Sequence, residues 1–209
     1  MALKPVAGSL GEGFYKLSYN HNKFYINGRP VQRNEIVDFL NGLENYIVTE
    51  YIIAHSRIRN VSDFGLNTLR VMVIKDDQNK PIIANAFMRF GTKATGVVDN
   101  ASAGGIFTIV DVEKGKYSNP KRVENYRLID CDAHPDTQEN LEGYLPNWDY
   151  IKESLITVSK YLSEITYMGF DIAITDCGFK IIEINSHQDI KWYQYYYPLL
   201  INNEAEPFL

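Results

Sequence analysis

The sequence predicts an α+β fold built on antiparallel strand pairs. Three observations carry this. β-branched and aromatic runs come in neighbouring pairs joined by short polar turns. Helical periodicity is confined to two stretches, near residues 34–41 and 148–165. Strands and helices do not alternate, as a doubly wound parallel sheet would require.

Phe14 to Ser18 and Phe24 to Ile26 read as strands around a turn at Asn20-His21-Asn22, whose residues tolerate left-handed backbone. Asn34 is the expected N-cap of a helix. Glu35 stands in its first turn, Ile36, Val37, Phe39 and Leu40 form its apolar face, and Gly42 stops it. Tyr46 to Ile53 is apolar and β-branched, hence a strand. Thr68 to Ile74 and Ile82 to Phe90 are two more, with the polar turn Asp76-Asp77-Gln78-Asn79 between them. Gly91 to Gly105 is small and flexible, and Ile106 to Val112 is a strand. Residues 113–145 read mostly as loop. Trp148 to Ile165 has helical period, and Phe170 to Thr175 with Phe179 to Asn185 form a hairpin around Asp176-Cys177-Gly178.

The 209 residues suit one domain or two small lobes. A formal charge of -5 argues against a general nucleic-acid binder. No apolar run is long enough to span a bilayer. Met1-Ala2-Leu3-Lys4-Pro5 does not form a secretory signal, and Cys131 and Cys177 are too few for a disulfide framework. Two inert thiols in a reducing cytoplasm are expected. The aromatic run Trp192-Tyr193-Gln194-Tyr195-Tyr196-Tyr197 is expected to be a packed terminal segment or a partner interface.

The final hairpin carries the first chemical signal. Side chains alternate along a strand, so Glu183 and Asn185 share a face. A regular hairpin centred on Cys177 sets Asp171 opposite Glu183 and joins Ile172 and Ile174 to Ile182 and Ile184 on the apolar face. Facing like charges destabilise a sheet unless something positive lies between them. Oxygen donors alone favour magnesium or manganese over zinc. Spacing leaves two readings open: a cation site, or a solvated hairpin with incidental acids or acids paired with lysines.

Lys4-Pro5 precedes Gly8-Ser9-Leu10-Gly11-Glu12-Gly13 and then a strand. Such a loop lets backbone amides approach phosphate oxygens, although a plain glycine-rich turn has the same composition. Phe14-Tyr15 excludes a Walker A motif, and the missing third glycine excludes a dinucleotide fingerprint. Arg70 lies on a strand among apolar neighbours and Arg89 closes the next, with Asp99-Asn100 and Gly104-Gly105 downstream. Guanidinium forks suit phosphate or carboxylate; surface salt bridging is the plain alternative.

Together these pieces resemble the ATP-grasp superfamily. Gly169-Phe170-Asp171-Ile172-Ala173 and Ile182-Glu183-Ile184-Asn185-Ser186 look like its paired metal strands. Val48-Thr49-Glu50-Tyr51-Ile52 is similar to its adenine hinge strand, and Lys4 to the lysine ahead of its glycine loop. Within the superfamily the likeness is closest to the sugar-transfer-associated family. It is carried by Asn67-Thr68-Leu69-Arg70-Val71, Asp99-Asn100 with Gly104-Gly105, His134-Pro135-Asp136-Thr137, Pro146-Asn147-Trp148 and Gly169 to Asn185, over about Lys4 to Ile190.

The resemblance implies two lobes with antiparallel sheets: residues 1–53 as the remainder of the small lobe, 54–209 as the large lobe. It implies ATP bound through Lys4, a lid containing Gly8, Ser9, Gly11 and Gly13, and hinge residues Glu50, Tyr51 and Ile52. Asp171, Glu183 and Asn185 would hold magnesium, or manganese. Arg89 and Arg70 would meet the transferred phosphoryl group, and Asn100 with the Gly104-Gly105 amides would position the acceptor. His134 and His187 are candidate substrate contacts, with a structural role favoured for His134. The implied reaction joins a carboxylate to an amine, or to a saccharide or similar nucleophile, through an acyl phosphate, with cell-surface polysaccharide biosynthesis as the implied setting. A small-molecule or sugar kinase and a non-catalytic nucleotide-binding module are the alternatives. Such enzymes carry a further segment and another phosphate-binding lysine ahead of the Lys4 strand. The expected fold is therefore N-terminally truncated: an excised fragment, a truncated gene product, or a subunit completed by a separate chain or domain as its partner.

Overall fold

A computed structural model describes residues 1–7, 12–124 and 127–196. The chain divides into two compact units, Met1–Ile53 and Ala54–Leu209.

The first unit is a five-stranded antiparallel sheet carrying one helix. Its strands are β1 (Ala2–Pro5), β2 (Tyr15–Asn20), β3 (Lys23–Ile26), β4 (Arg29–Val31) and β5 (Tyr46–Thr49), in the order β4-β3-β2-β1-β5. His21 and Asn22 turn β2 into β3 with φ of 47° and 60°. Asn27 and Gly28, at 49° and 81°, do the same for β3 and β4. Positive φ at both centres matches the twist of a two-residue hairpin. Leu3, Leu17 and Ile36 form the core, with Tyr15, Phe24, Ile26 and Phe39 packed against them.

Two sequence expectations are corrected here. The helix, α1 (Arg33–Asn41), is capped by Gln32 rather than Asn34, because Glu35 reaches back and accepts from the Gln32 amide at 2.6 Å. β5 stops at Thr49, not Ile53. Its ladder with β1 runs from Pro5↔Tyr46 to Ala2↔Thr49, the first residue of β1, and the strand ends there.

The second unit opens with α2 (Ser56–Val61) and is built on one antiparallel eight-stranded sheet. β6 (Leu69–Lys75), β7 (Pro81–Phe90), β8 (Ile106–Val110), β9 (Lys116–Glu124), β10 (Arg127–Asp130), β12 (Tyr167–Thr175) and β13 (Gly178–Asn185) follow the order β10-β9-β8-β7-β6-β12-β13. The short β11 (Gly143–Tyr144) pairs with β9. Helix α3 (Trp148–Tyr161) covers one face and α4 (Lys191–Gln194) lies at the other. Leu69, Val71 and Val73 of β6 join Trp148, Ile151 and Leu155 of α3 in the larger core. Met72 and Ile74 point the other way and pack with Phe87, Phe107 and Tyr193. Both faces of the central strands are therefore buried, which explains their near-continuous apolar runs. Each fully buried leucine or phenylalanine contributes about 1.5–3 kcal/mol.

The stretch expected to be loop, 113–145, holds β9, β10 and β11. Charged residues and Pro120 hide the alternation of β9. The ladder to β8 slips between Phe107↔Lys121 and Ile109↔Ser118, so Asn119 and Pro120 stand against the single Thr108 and form a bulge, where proline is tolerated. Helix α3 ends at Tyr161, four residues short of the expected Ile165. The aromatic run packs internally: the Trp192 ring centroid lies 4.9 Å from that of Phe107, and the Tyr196 hydroxyl donates toward the carbonyls of Asn119 at 2.7 Å and Phe107 at 3.0 Å. Burial pushes both the Tyr193 and Tyr196 phenols well above their ordinary range. Tyr197 lies outside the described residues.

Candidate functional site

Three adjacent strands bring the chemistry together in the second unit. Asp171 on β12 stands directly opposite Glu183 on β13 and opposite Arg70 on β6. The apolar part of the hairpin does not follow the regular register. After Asp171↔Glu183 the next pair is Ile172↔Ile181, so Ile182 is an extra residue in β13. Ile181 and Phe179, not Ile182 and Ile184, join the core beside Ile172 and Ile174. The bulge keeps the acidic pair aligned while shifting the rest of the strand, a use of bulges near functional sites seen elsewhere.

Asp171 is buried, with 6% of its surface exposed, and it is held by cations. Arg70 donates to both carboxylate oxygens, from Nε to Oδ1 and from Nη2 to Oδ2 at 2.5 Å. Arg89 donates from Nη2 to Asp171 Oδ1 at 3.0 Å. Burial alone would raise the Asp171 carboxyl. The charge of Arg89, with the hydrogen bond and charge of Arg70, outweighs burial and holds it below the usual carboxylate range. Burial likewise opposes charge on Arg70, and the Asp171 hydrogen bond and charge overcome it, so Arg70 is raised. The strand arginines are thus neither surface salt bridges nor isolated cations; they lock the first acid of the hairpin.

Glu183 is exposed and Asn185 half-buried on the same strand face. The Asn185 amide donates from Nδ2 to Glu183 Oε1 at 3.0 Å, and its carbonyl oxygen is of a type that can ligate a hard cation. Among the described residues no group of three His, Cys, Asp or Glu side chains could hold a metal. The set here is two carboxylates and an amide. All are hard oxygen donors, as magnesium and manganese prefer, and one of them is shared with guanidinium groups. The residues fit such an ion.

Arg89 has further partners. Its Nε donates to Thr68 Oγ1 at 2.8 Å, and its Nη2 also reaches that oxygen. Asp99 accepts from the Thr68 amide through Oδ2, and its Oδ1 lies 3.8 Å from Arg89 Nε. Thr68 and Asp99 stand within the stretches that carry the family likeness, but side-chain spacing gave no reason to assign them a role.

Several other expected residues have structural duties. Asn67 donates to the Ser62 carbonyl at 2.6 Å and accepts from the Gly91 amide at 2.8 Å, tying the start of β6 to the end of β7. The buried His134 ring lies 2.8 Å from the Gly91 carbonyl through Nε2, while Nδ1 accepts from the amides of Asp136 and Thr137. That pattern matches the Nε2–H tautomer and gives His134 structural contacts on both ring nitrogens. His187 is exposed and pairs with the Ser186 hydroxyl at 2.9 Å. The expectation for the Gly104 and Gly105 amides is corrected: they donate to the carbonyls of Ala101 and Asn100, at 3.3 and 3.1 Å, and so close a turn. A Cβ at Gly105 would stand 2.8 Å from the Asn100 carbonyl oxygen, which explains the glycine. Cys131 and Cys177 are unpaired, and burial raises the Cys131 thiol.

The nucleotide candidates lie in the first unit. Lys4 sits half-buried in β1 opposite Ile47. Glu50, Tyr51 and Ile52 follow the end of β5, and the Tyr51 ring receives Lys16 Nζ at 4.1 Å from its centroid. Gly13 adopts φ of 71°. Gly8, Ser9 and Gly11 lie outside the described residues. No described helix is long and apolar enough to cross a membrane.

The family model for sugar-transfer associated ATP-grasp proteins matches residues 1–204. A search of curated proteins finds no significant match. With the family model spanning nearly the whole chain, and two antiparallel sheets beneath it, the chain belongs to the sugar-transfer associated ATP-grasp family.

Proposed function

We propose that this chain uses ATP and magnesium to join a carboxylate to an amine or similar nucleophile through an acyl phosphate. Family membership carries ATP dependence and ligase-like chemistry. The single observation that best supports the finer reading is the row Glu183, Asp171, Arg70 across three strands, with Arg89 reaching into it. Two facing acids, an amide and two anchored guanidiniums supply both signs of charge where a polyphosphate and its cation would meet.

In this proposal Glu183, Asn185 and Asp171 hold magnesium, and Lys4 with the loop containing Gly8, Ser9, Gly11 and Gly13 binds phosphates. Glu50, Tyr51 and Ile52 contact adenine, and Asn100 orients the acceptor. When bound, the ion neutralises phosphate charge. Arg89 and Arg70 offer fixed donors to the phosphoryl group as it moves, so no reorganisation is needed when charge develops. The substrate carboxylate oxygen attacks the γ-phosphorus and ADP leaves. The nucleophile then attacks the acyl carbon, and phosphate leaves with the C–O bond pair. The family's association with sugar transfer supports a saccharide-linked substrate and a role in cell-surface polysaccharide assembly. Two unpaired thiols suit a cytoplasmic setting.

Hydroxylamine trapping tests the reaction class. Incubated with MgATP, hydroxylamine and a panel of sugar acids and amino acids, the protein is expected to release ADP and form a hydroxamate. ADP release with a stable phosphoester and no hydroxamate would instead make it a kinase.

A further inference from the structure

We propose that Thr68 and Asp99 are positioning residues that hold the Arg89 guanidinium in one orientation for the transferred phosphoryl group. This rests on the reading of Arg89 given above. The geometry behind it is a chain of contacts along one edge of the arginine. The Thr68 hydroxyl oxygen accepts from both Nε, at 2.8 Å, and Nη2 of Arg89. Asp99 grips the backbone of the same threonine through its amide and sets a second negative oxygen 3.8 Å from Arg89 Nε. The Arg89 amide itself donates to the Thr68 carbonyl at 2.9 Å, so side chain and main chain are fastened to one residue.

Thr68 and Asp99 are both buried, and so cannot trade these contacts for water. The hydrogen bonds of Arg89 among the described residues all use Nε and Nη2. Nη1 takes no part in those bonds. A guanidinium fixed on two sides loses little freedom when it engages an anion, and that is the advantage of a fork over an ammonium. Asp99 also supplies a second anion beside Arg89, which shares Asp171 with Arg70.

Two measurements decide the matter without requiring the acceptor substrate. The first is the Arg89 Nε–H resonance, assigned by its disappearance in Arg89→Lys. The second is affinity for MgADP with aluminium fluoride, which mimics the moving phosphoryl group, compared with affinity for MgATP. Thr68→Val and Asp99→Asn are expected to abolish or shift the protected resonance. They should weaken the aluminium fluoride complex about 10–100-fold, while MgATP affinity changes about threefold or less, as expected of donors that act on the moving group. Thr68→Ser, which keeps the hydroxyl, should restore both signals, and Thr68→Val in the Arg89→Lys background should add little. An unchanged resonance in both variants, or a Thr68→Val penalty equally large in the Arg89→Lys background, would overturn the proposal. Should Arg89→Lys itself leave the aluminium fluoride affinity unchanged, the role of Arg89 in phosphoryl transfer fails, while the resonance still reports whether the brace exists.

Discussion

Arg70 faces Asp171 across the ladder between β6 and β12 and donates to both of its carboxylate oxygens. The pair is largely buried, with side-chain exposures of 15% and 8%. Removing one partner of a buried pair leaves the other without compensation and costs about 3–5 kcal/mol. Arg89 still contacts Asp171, so Arg70→Ala is expected at the lower end, about 3 kcal/mol by urea denaturation. Arg70→Lys should recover only part, because an ammonium cannot reproduce the two-pronged contact. A loss under about 0.5 kcal/mol for Arg70→Ala, the range of plain surface substitutions, would contradict the burial argument.

The depressed Asp171 carboxyl sets a pH dependence. A group whose folded pKa lies below its unfolded value contributes stability above the unfolded value, near 4, and loses it as pH falls through the folded value. Wild type should therefore exceed Asp171→Asn in stability at neutral pH, and the gap should close as pH falls through the acidic range. Paired thermal melts from pH 7 downward check this. A gap that widens with acid would show the sign to be wrong.

Gly169 shares its strand with Asp171 and lies beneath Gln188. A Cβ added there would come within 1.5 Å of Gln188 Oε1, while Gln188 Nε2 donates to the buried Tyr193 hydroxyl at 2.8 Å. Gly169→Ala must displace the glutamine and disturb the packing of Tyr193 against Phe87, whose ring centroids lie 5.0 Å apart. A destabilisation of about 1–3 kcal/mol is expected. Gln188→Ala in the Gly169→Ala background should recover part of it, since the clash is then relieved. Equal stability of Gly169→Ala and wild type would sink the packing account.

The facing of Asp171 and Glu183 was legible because strand alternation and a short turn leave few registers. Ile182 was not recognisable as an extra residue, since Ile181 and Ile182 are both apolar and either can continue the pattern. Central strands announced themselves through runs such as Val71-Met72-Val73-Ile74, buried on both faces. β9 did not, because its proline sits at a bulge and its charges at the sheet's outer part, where apolar alternation is not required. β4 carried a usable signal, the Asn27-Gly28 pair, which marks a tight hairpin. Arg70 and Arg89 could be read as anion ligands, but which anion they take depends on non-local register. Asp171 lies 101 residues from Arg70, and Asp99 contacts Thr68 across 31.

Glu183 offers the cleanest test of the proposed magnesium and ATP site, because it is exposed whereas Asp171 and Arg70 are largely buried. The decisive measurement is ATP affinity by calorimetry, with and without magnesium, for wild type and Glu183→Gln, with folding stability measured alongside. Stability should change by less than about 0.5 kcal/mol. Magnesium should tighten ATP binding in wild type, and Glu183→Gln should lose that gain by about tenfold or more. Magnesium-dependent ATP binding that is unchanged in Glu183→Gln would contradict the assignment of this hairpin as the metal site.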